Sequence, residues 1–334
     1  MRLQKTDLIA QPYDHVYFSP HLDDVVLSCG GRIALQKSNG EQVLVVSVFT
    51  SGVDQKEVEV DDEILAPFLD MQERRKEDAK AMERLQADHL WLDYHEAIRR
   101  NPRYQSFVRL TSQVLAGDAP LQEALWSDLT EICHAAHKAT LYFPLAVGNH
   151  VDHQILFELG TKIEEQGKNT CQVWYYEDVP YAFIPGLLRL RMKLVGATVQ
   201  SDSPSPALSG QGFLKGIVQI YQGILSTPII RENATSIQRA FLFLYVLNHV
   251  VDVHLRARKQ ARRQGYWMNP EVIDITTHLQ AKLDAVGEYR SQVTPLLGDL
   301  ETLRLGMERN SASILGGKGL YVERYWRTAA GRGT

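Results

Sequence analysis

Strand-like and helix-like segments alternate along the first 180 residues of this chain, and no other feature constrains its fold as much. Short runs rich in β-branched and aromatic residues predict strands at 15–18, 42–50, 89–93, 140–144 and 171–177. Longer segments between them predict helices at 24–37, 67–86, 121–137 and 153–165. Strands that alternate with helices in this way form βαβ units around a parallel sheet. The sequence therefore predicts an α/β fold that is Rossmann-like and doubly wound, with a mostly parallel sheet.

The alternation is lost between residues 182 and 270, which are predicted to form a mainly helical insertion or cap. A strand at 271–276 and a helix at 279–292 then resume the earlier pattern. We therefore expect an α/β domain made of residues 1–181 and 271–334. Within the insertion, the segments "GFLKGIVQIYQGIL" and "AFLFLYVLNHVV" are too apolar to be left in water. They are expected to pack on the body, where they would roof a binding site, or on another subunit of a homo-oligomer.

Charge and composition argue against several classes of protein. The formal net charge of -4 argues against a nucleic-acid-binding protein, which usually has an excess of basic residues. We interpret the short basic run at 256–263 as a solvated helix end. No stretch approaches the ~20 apolar residues of a membrane span. The N-terminal segment lacks the apolar region of a secretory signal, and the three cysteines show no paired spacing. We expect a cytoplasmic protein.

The first candidate site lies where the strand at 15–18 leads into a helix, in the sequence "SPHLDD". His21 and Asp24 are three residues apart, so both side chains can face one point, while Asp23 stays nearby. Imidazole and carboxylate are ordinary ligands of a divalent metal such as zinc. The alternative is a helix N-terminus where the aspartates only stabilise the helix dipole.

A second cluster, "GNHVDH", follows the strand predicted at 140–144. His150 and His153 flank Asp152 at the start of the next helix. In parallel sheets the carboxyl ends of the strands lie at one edge, where ligands bind. One of these histidines would complete a set of two histidines and one carboxylate, which is typical of catalytic zinc.

These motifs resemble the LmbE/PIG-L family of deacetylases. "SPHLDD" resembles the family signature with a histidine before paired aspartates, and "HVDH" resembles its HxDH signature. Weaker matches follow in the family's order: "TSG" at 50–52, "RRKEDAKAMERL" at 74–85, "YEDVPY" at 176–181 and "KLDAVGEYRSQ" at 282–292. The resemblance spans 15–181 and 271–292, and leaves the insertion outside it.

The resemblance implies a zinc-dependent N-deacetylase that acts on an N-acetylglucosaminyl group or a similar N-acylated glycoside. By motif position it assigns the metal ligands as His21, Asp24 and His153. It makes Asp23 the general base, and makes His150 an acid or oxyanion stabiliser that Asp152 tunes. Two positions depart from the pattern, Leu22 for proline and Val25 for an acidic residue, and neither supplies a ligand.

Other functions remain open at this point. The same site could hydrolyse another acyl amide or an ester, and iron or another divalent metal could replace zinc. A non-catalytic metal-containing binding protein is a further alternative, although such a protein has no need of Asp23 beside its metal. The last alternative is a protein that binds nucleic acid through the basic run at 256–263.

Overall fold

The computed structural model describes residues 12–52, 69–166, 172–199, 210–260, 266–317 and 319–329. Eight strands in these ranges form one sheet. In chain order they are β1 (His15–Ser19), β2 (Val43–Ser47), β3 (Asp88–Trp91), β4 (Thr140–Pro144), β5 (Gln172–Tyr176), β6 (Ala197–Val199), β7 (Tyr266–Asp274) and β8 (Val322–Ala329).

The sheet has the order β3-β2-β1-β4-β5-β8-β7-β6. The first five strands are parallel to their neighbours, and β8 is inserted antiparallel between β5 and β7. The chain winds from β1 outward through β2 and β3, then returns to place β4 on the other side of β1. This reversal is the switch point of a doubly wound sheet. The predicted α/β class and mostly parallel sheet are confirmed.

Helices cover both faces of the sheet. Those in the described ranges are α1 (Asp24–Ser38), α2 (Met71–Leu85), α3 (Ala97–Arg100), α4 (Phe107–Leu110), α5 (Ala119–Ala135), α6 (Val151–Gln166), α7 (Leu187–Leu194), α8 (Gly210–Leu225), α9 (Pro228–Asn233), α10 (Ser236–Gln260), α11 (Leu279–Val286), α12 (Arg290–Leu297) and α13 (Leu300–Leu315). Of these, none is long and apolar enough to cross a membrane.

Two core clusters lie on opposite sides of the sheet, because successive side chains of a strand point to opposite faces. Val16 and Phe18 of β1 join the cluster under α5, α6, α7, α8 and α10. Tyr17 joins the other cluster, with α1, α2, α11, α12 and α13. Burial of β1 and β2 on both faces explains why both read as nearly continuous apolar runs.

Each strand and helix predicted before residue 181 is present, and α1 begins at the predicted residue, Asp24. The single helix predicted at 279–292 is wrong, since α11 ends at Val286 and α12 begins at Arg290. Tyr289 has a non-helical ψ of 56°. Its hydroxyl lies 3.0 Å from the Leu22 carbonyl oxygen and 2.7 Å from Asp78 Oδ1. We attribute the break between α11 and α12 to these two contacts of the Tyr289 hydroxyl. Strand β8 was not predicted.

The predicted insertion, 182–270, contains α7 to α10 in its described part. It also supplies β6 and the first residues of β7 to the main sheet. The division into an α/β domain and an insertion stays a prediction. The side chains of the basic run at 256–263 lie outside the described residues.

Candidate metal and catalytic site

The two sequence clusters meet at the carboxyl edge of the sheet. β1 and β4 are hydrogen-bonded neighbours, and each leads directly into the loop and helix that carry one cluster. The site therefore lies at the switch point between these strands, where open α/β sheets bind their ligands.

The turn from β1 into α1 fixes the first cluster. Asp23 is the N-cap of α1, and Asp24 is its first residue. The Asp24 carboxylate folds back so that its Oδ2 accepts a hydrogen bond of 2.8 Å from the His21 backbone N–H. Ser19 Oγ accepts another of 3.1 Å from the Val25 backbone N–H. These bonds close the turn and hold both acidic side chains near His21.

The loop before α6 fixes the second cluster. Ala146, Gly148 and Asn149 all have positive φ angles, of 62°, 90° and 63°. At Gly148, a Cβ atom would lie 2.7 Å from the ring of Tyr181, so only glycine fits there. Asn149 is a residue type that tolerates the left-handed region, and its place in the motif predicted a tight loop. The loop thus turns the chain sharply before His150.

The predicted insertion supports this same loop from outside. Arg191 of α7 donates a 2.7 Å hydrogen bond to the Leu145 carbonyl oxygen. Tyr245 of α10 lies 2.6 Å from Thr111 Oγ1 and donates a 3.0 Å hydrogen bond to the Thr111 carbonyl oxygen. That carbonyl oxygen also accepts a 2.9 Å bond from Asn149 Nδ2. The helices outside the family motifs therefore hold the segment that ends at His150.

Three imidazoles and one carboxylate converge at the centre of the site. Asp24 Oδ2 lies 3.0 Å from His21 Nδ1 and 3.3 Å from His153 Nε2. The ring centroids of His21 and His153 are 5.3 Å apart. His150 is 4.9 Å from His21 and 5.3 Å from His153 by the same measure. One nitrogen from each of the three rings lies within 4.8 Å of the others.

Asp23 lies beside this centre and is almost fully buried. Its Oδ1 is 3.6 Å from Arg74 Nη2, and Arg74 also contacts Glu96 at 2.5 Å. Burial, and next the charge of Asp24, raise the pKa of Asp23 to about 6, although Arg74 opposes the shift. Asp23 is therefore a buried carboxylate with a raised proton affinity, and it is not a member of the cluster formed by His21, His150 and His153.

Asp152 contacts His21 and Arg100 through its carboxylate. The distances are 3.2 Å to His21 Nε2 and 2.8 Å to Arg100 Nη2, and the Ala97 backbone N–H donates a further bond of 2.9 Å. Burial raises its pKa, but the charge of Arg100, together with the hydrogen bond and charge of His21 and the charge of His150, outweighs burial and holds the pKa well below its usual range. Asp152 contacts His150 through the backbone, whose N–H donates a 3.2 Å bond to Nδ1.

His150 is electrostatically different from its neighbours. Burial, and next the positive charge of His21, place its pKa well below the ordinary value for histidine. Asp152 acts in the opposite direction, as a neighbouring carboxylate should, but does not overcome the other two effects. Burial and the charge of His21 therefore favour the neutral form of the His150 ring.

Two supporting residues were not predicted from the sequence. Asp178, just after β5, lies 2.6 Å from His153 Nδ1 and accepts a 2.7 Å bond from the Val147 backbone N–H. The motif "YEDVPY" was its only signal. Arg100 ends the four-residue helix α3, and no local pattern marked it. Both become recognisable only when distant segments come together.

The donor set fits a divalent metal ion. Neutral imidazole nitrogens and carboxylate oxygens are the ligands that zinc and similar metals take. A carboxylate on the far nitrogen of His153, as Asp178 provides, is the usual orientation device for a metal-binding histidine. Asp24 lies beside the ring nitrogens of His21 and His153, and Asp178 contacts the far nitrogen of His153. This arrangement matches the chemistry of a metal centre.

The fold and the site define an α/β protein with a histidine–carboxylate centre at the switch point of its sheet. Comparison with protein families is consistent with this class. Residues 16–164 match the family described as PIG-L: GlcNAc-PI de-N-acetylase, so this part of the chain is similar to PIG-L (LmbE-like) domains. Both sequence clusters lie inside the matched range.

One similar curated protein is the 2'-N-acetylparomamine deacetylase of Niallia circulans. The two are 27% identical over 187 residues, which is 50% of this chain and 66% of that relative, slightly less than two thirds of its length.

Among solved structures, three structures of deacetylases share the fold over nearly the whole chain. The A40926 pseudoaglycone deacetylase Dbv21 has 17% identity and a TM-score of 0.59, covering 96% of this chain and 100% of that one. A deacetylase of the teicoplanin pathway has 18% identity and a TM-score of 0.62, with 96% and 99% covered. The zinc-inhibited form of teicoplanin deacetylase Orf2 has 18% identity and a TM-score of 0.61, with the same coverage. At these identities the likeness is one of fold.

Proposed function

We propose that this protein is a metal-dependent hydrolase that removes the acetyl group from an N-acetylated sugar-type substrate, releasing acetate and a free amine. The observation that carries the proposal is the meeting of the two PIG-L motifs around one point, with Asp23 buried beside it. A carboxylate placed next to a metal-type centre without being part of the imidazole cluster suits a base in hydrolysis.

His21, Asp24 and His153 would hold the metal, with zinc proposed and Fe²⁺ as an alternative. The distances from Asp24 to both rings support this assignment, and Asp178 would orient His153. When bound, such a metal supplies Lewis-acid polarisation of the acetyl carbonyl and makes a water molecule acidic enough to react near neutral pH. His150 is close enough to these rings to serve as an alternative ligand.

Asp23 would accept the proton of the attacking water. Its burial and its raised pKa favour proton uptake, and Arg74 holds the carboxylate in place. The proton then passes to the departing nitrogen, so that the amine leaves neutral while acetate stays behind. The Arg74–Glu96 pair fixes this geometry from the side of α2.

His150 would face the oxygen that becomes negative during attack. Its ring lies beside both His21 and His153, and its Nδ1 accepts the backbone N–H of Asp152. The opposite nitrogen can then donate to that oxygen even when the ring is neutral. Removing one donor of this kind typically costs ~2.7–4 kcal/mol of transition-state stabilisation.

For the substrate we propose an N-acetylated amino-sugar conjugate. The family description names a GlcNAc-containing substrate, and the curated relative is named for an N-acetylated aminoglycoside. Residues 182–270 would contribute specificity, since α7 and α10 hold the loop before His150. We propose a cytoplasmic location on the cysteine usage alone.

The test is an amidase assay on purified protein with a panel of N-acetylglucosaminides, measuring both acetate and free amine. The substrates are paired with O-acetyl esters and N-propionyl analogues of the same sugars. We expect equal amounts of acetate and amine from N-acetyl substrates, lost after chelation and restored by Zn²⁺. Ester cleavage alone would identify a different hydrolase. Stoichiometric metal without turnover of any acylated substrate would identify a binding protein.

A further inference from the structure

Helix α10 has two apolar faces, and among the described residues only one of them is buried against the body of the protein. The inward face is buried in the core through Leu242, Val246, Val250 and Val253. The opposite face is open to solvent, with Ile237 exposed by 70%, Phe241 by 65% and Leu255 by 54%. Large exposed apolar side chains that form one stripe mark a surface that another molecule covers.

The outward stripe follows the spacing of a coiled-coil seam. Its members alternate four and three residues apart, at Ile237, Phe241, Leu244, Asn248, Val251 and Leu255. This pattern repeats every 3.5 residues and assigns Asn248 to an a position of the heptad. A single asparagine at an a position fixes the register and the number of helices in such a seam. The stripe contains no charged residue, so two copies of it would not repel each other.

A second apolar stripe, on α8, lies next to the seam. Leu214, Val218 and Tyr221 are spaced four and three apart, and the Tyr221 ring packs edge-on against Phe243 of α10 at 5.2 Å. The exposed apolar side chains of the joint surface are Leu214, Val218, Ile237, Phe241, Phe243, Leu244, Val251 and Leu255, exposed by 36% to 70%. A large apolar side chain such as Phe presents about 150–250 Å² when fully exposed, so these eight partly exposed side chains together expose several hundred Å². That area approaches the ~800 Å² that each partner buries in a standard protein interface.

We propose that this surface binds a second copy of the chain, with α10 packed against α10 of that copy and the two-fold axis beside Asn248. A symmetric interface brings the same residue from both copies together, so each Asn248 amide finds a partner of matching donors and acceptors. A lipid surface would instead leave this amide among apolar chains without hydrogen bonds, which is costly. The asparagine within the stripe therefore selects a second copy over a membrane.

The first experiment measures mass by sedimentation equilibrium between about 1 and 100 µM protein. One chain has a mass of 37.8 kDa, and we expect twice that value for the wild type. The double variant Phe241→Glu/Leu244→Glu should weaken self-association at least about 100-fold, because central interface side chains each carry a large share of affinity. The matched control is Leu305→Glu on α13, a leucine exposed by 41% outside the surface. It should remain dimeric, and circular dichroism should show all variants folded.

The second experiment places a cysteine on the proposed axis. Asn248→Cys should form a disulfide-linked dimer under mild oxidation, because opposed a positions lie within disulfide reach. Leu305→Cys and the wild type are the controls and should stay as single chains on a non-reducing gel. A monomeric wild type at 100 µM, or an Asn248→Cys protein that does not cross-link, would overturn the proposal. Monomers that co-sediment with phosphatidylcholine vesicles would point to a lipid surface instead.

Discussion

The carboxyl edge of β1 and β4 and the outer face of α10 are opposites in their physical chemistry. At the site, charged side chains such as Asp152 and Arg74 are nearly excluded from water and are paired at close range. On α10, apolar side chains such as Phe241 are largely exposed. A buried charge is costly as soon as its partner is removed, whereas an exposed apolar group contributes little to the monomer. Substitutions should therefore have very unequal effects in the two regions.

The largest effect is expected at Asp23. Replacing it by asparagine removes the proposed base without changing side-chain size, so kcat should fall by about 10²–10⁴-fold. The metal content, measured by atomic emission, should stay near that of the wild type. The adjacent variant Asp24→Asn is the matched comparison and should lose metal instead. Full turnover by Asp23→Asn would show that the base lies elsewhere.

Arg100→Met should produce the largest loss of stability. It removes the guanidinium that pairs with two buried carboxylates, Asp152 and Asp118, and leaves His21, at 3.2 Å, as the ion-pair partner of Asp152 in the described structure, a loss that typically costs about 3–5 kcal/mol. Arg327→Met breaks an ion pair of the same 2.8 Å length with Glu271, whose side chains are exposed by 45% and 38%. That control should change the free energy of unfolding by less than about 1 kcal/mol. Urea denaturation of metal-free protein measures both, and equal losses would contradict the comparison.

A pH-dependent effect is expected from Asp78. Burial raises its pKa to about 7, although hydrogen bonds from Tyr289 and Trp91 and the charge of Arg74 oppose the shift and nearby Asp23 reinforces it. The folded protein thus holds this proton more tightly than the unfolded chain does. Stability from this group is present at low pH and is lost as pH rises from about 4 to 7, on the order of 2–3 kcal/mol between pH 5 and 8. Asp78→Asn should lack that loss in denaturation curves, and unchanged pH dependence would refute the assignment.

Asp178→Asn should weaken metal binding by about 10–100-fold, since it removes the carboxylate that orients His153. Competition with a chromophoric chelator measures the affinity. The neighbouring buried Glu177 contacts Arg324 and Trp326 instead. Glu177→Gln should leave metal affinity unchanged, and a similar loss in both variants would mean that Asp178 only stabilises the fold.

The smallest effect is expected on the outer face of α10. Ile237→Ser should change the free energy of unfolding of a monomer by less than about 0.5 kcal/mol, because the side chain is already exposed. Leu242→Ala on the inward face of the same helix should cost about 2–5 kcal/mol. Both are best measured by urea denaturation in the Phe241→Glu/Leu244→Glu background. A loss above 1 kcal/mol for Ile237→Ser would show that this face packs within the chain.

Much of the α/β architecture was predictable because its signals are local. The buried runs of β1 and β2 and the helix start at Asp24 are each encoded within about ten residues. Strand ends that carry His21 and His153 predicted a common site because parallel strands bring their carboxyl ends to one edge. The family resemblance rested on these same residues.

The unpredicted features depend on contacts between distant segments. Strand β8 pairs with β5 and β7, and the sequence of β8 alone does not predict which strands it pairs with. The break at Tyr289 arises from a contact with Leu22, some 270 residues earlier. Arg100 is meaningful only beside Asp152, and Asp178 only beside His153. The local sequence pattern around a residue does not predict contacts with segments that are distant in the chain.

The hydrogen bonds that join Tyr245 to Thr111, and Asn149 to Thr111, make α10 a structural support for the loop before His150. A shortened protein that kept all the family motifs but lacked this helix would lose the clamp on the backbone just before His150. Under the proposed function, minimal versions of the fold are therefore expected to bind metal yet turn over slowly, because they would lack the helix that holds the loop before His150.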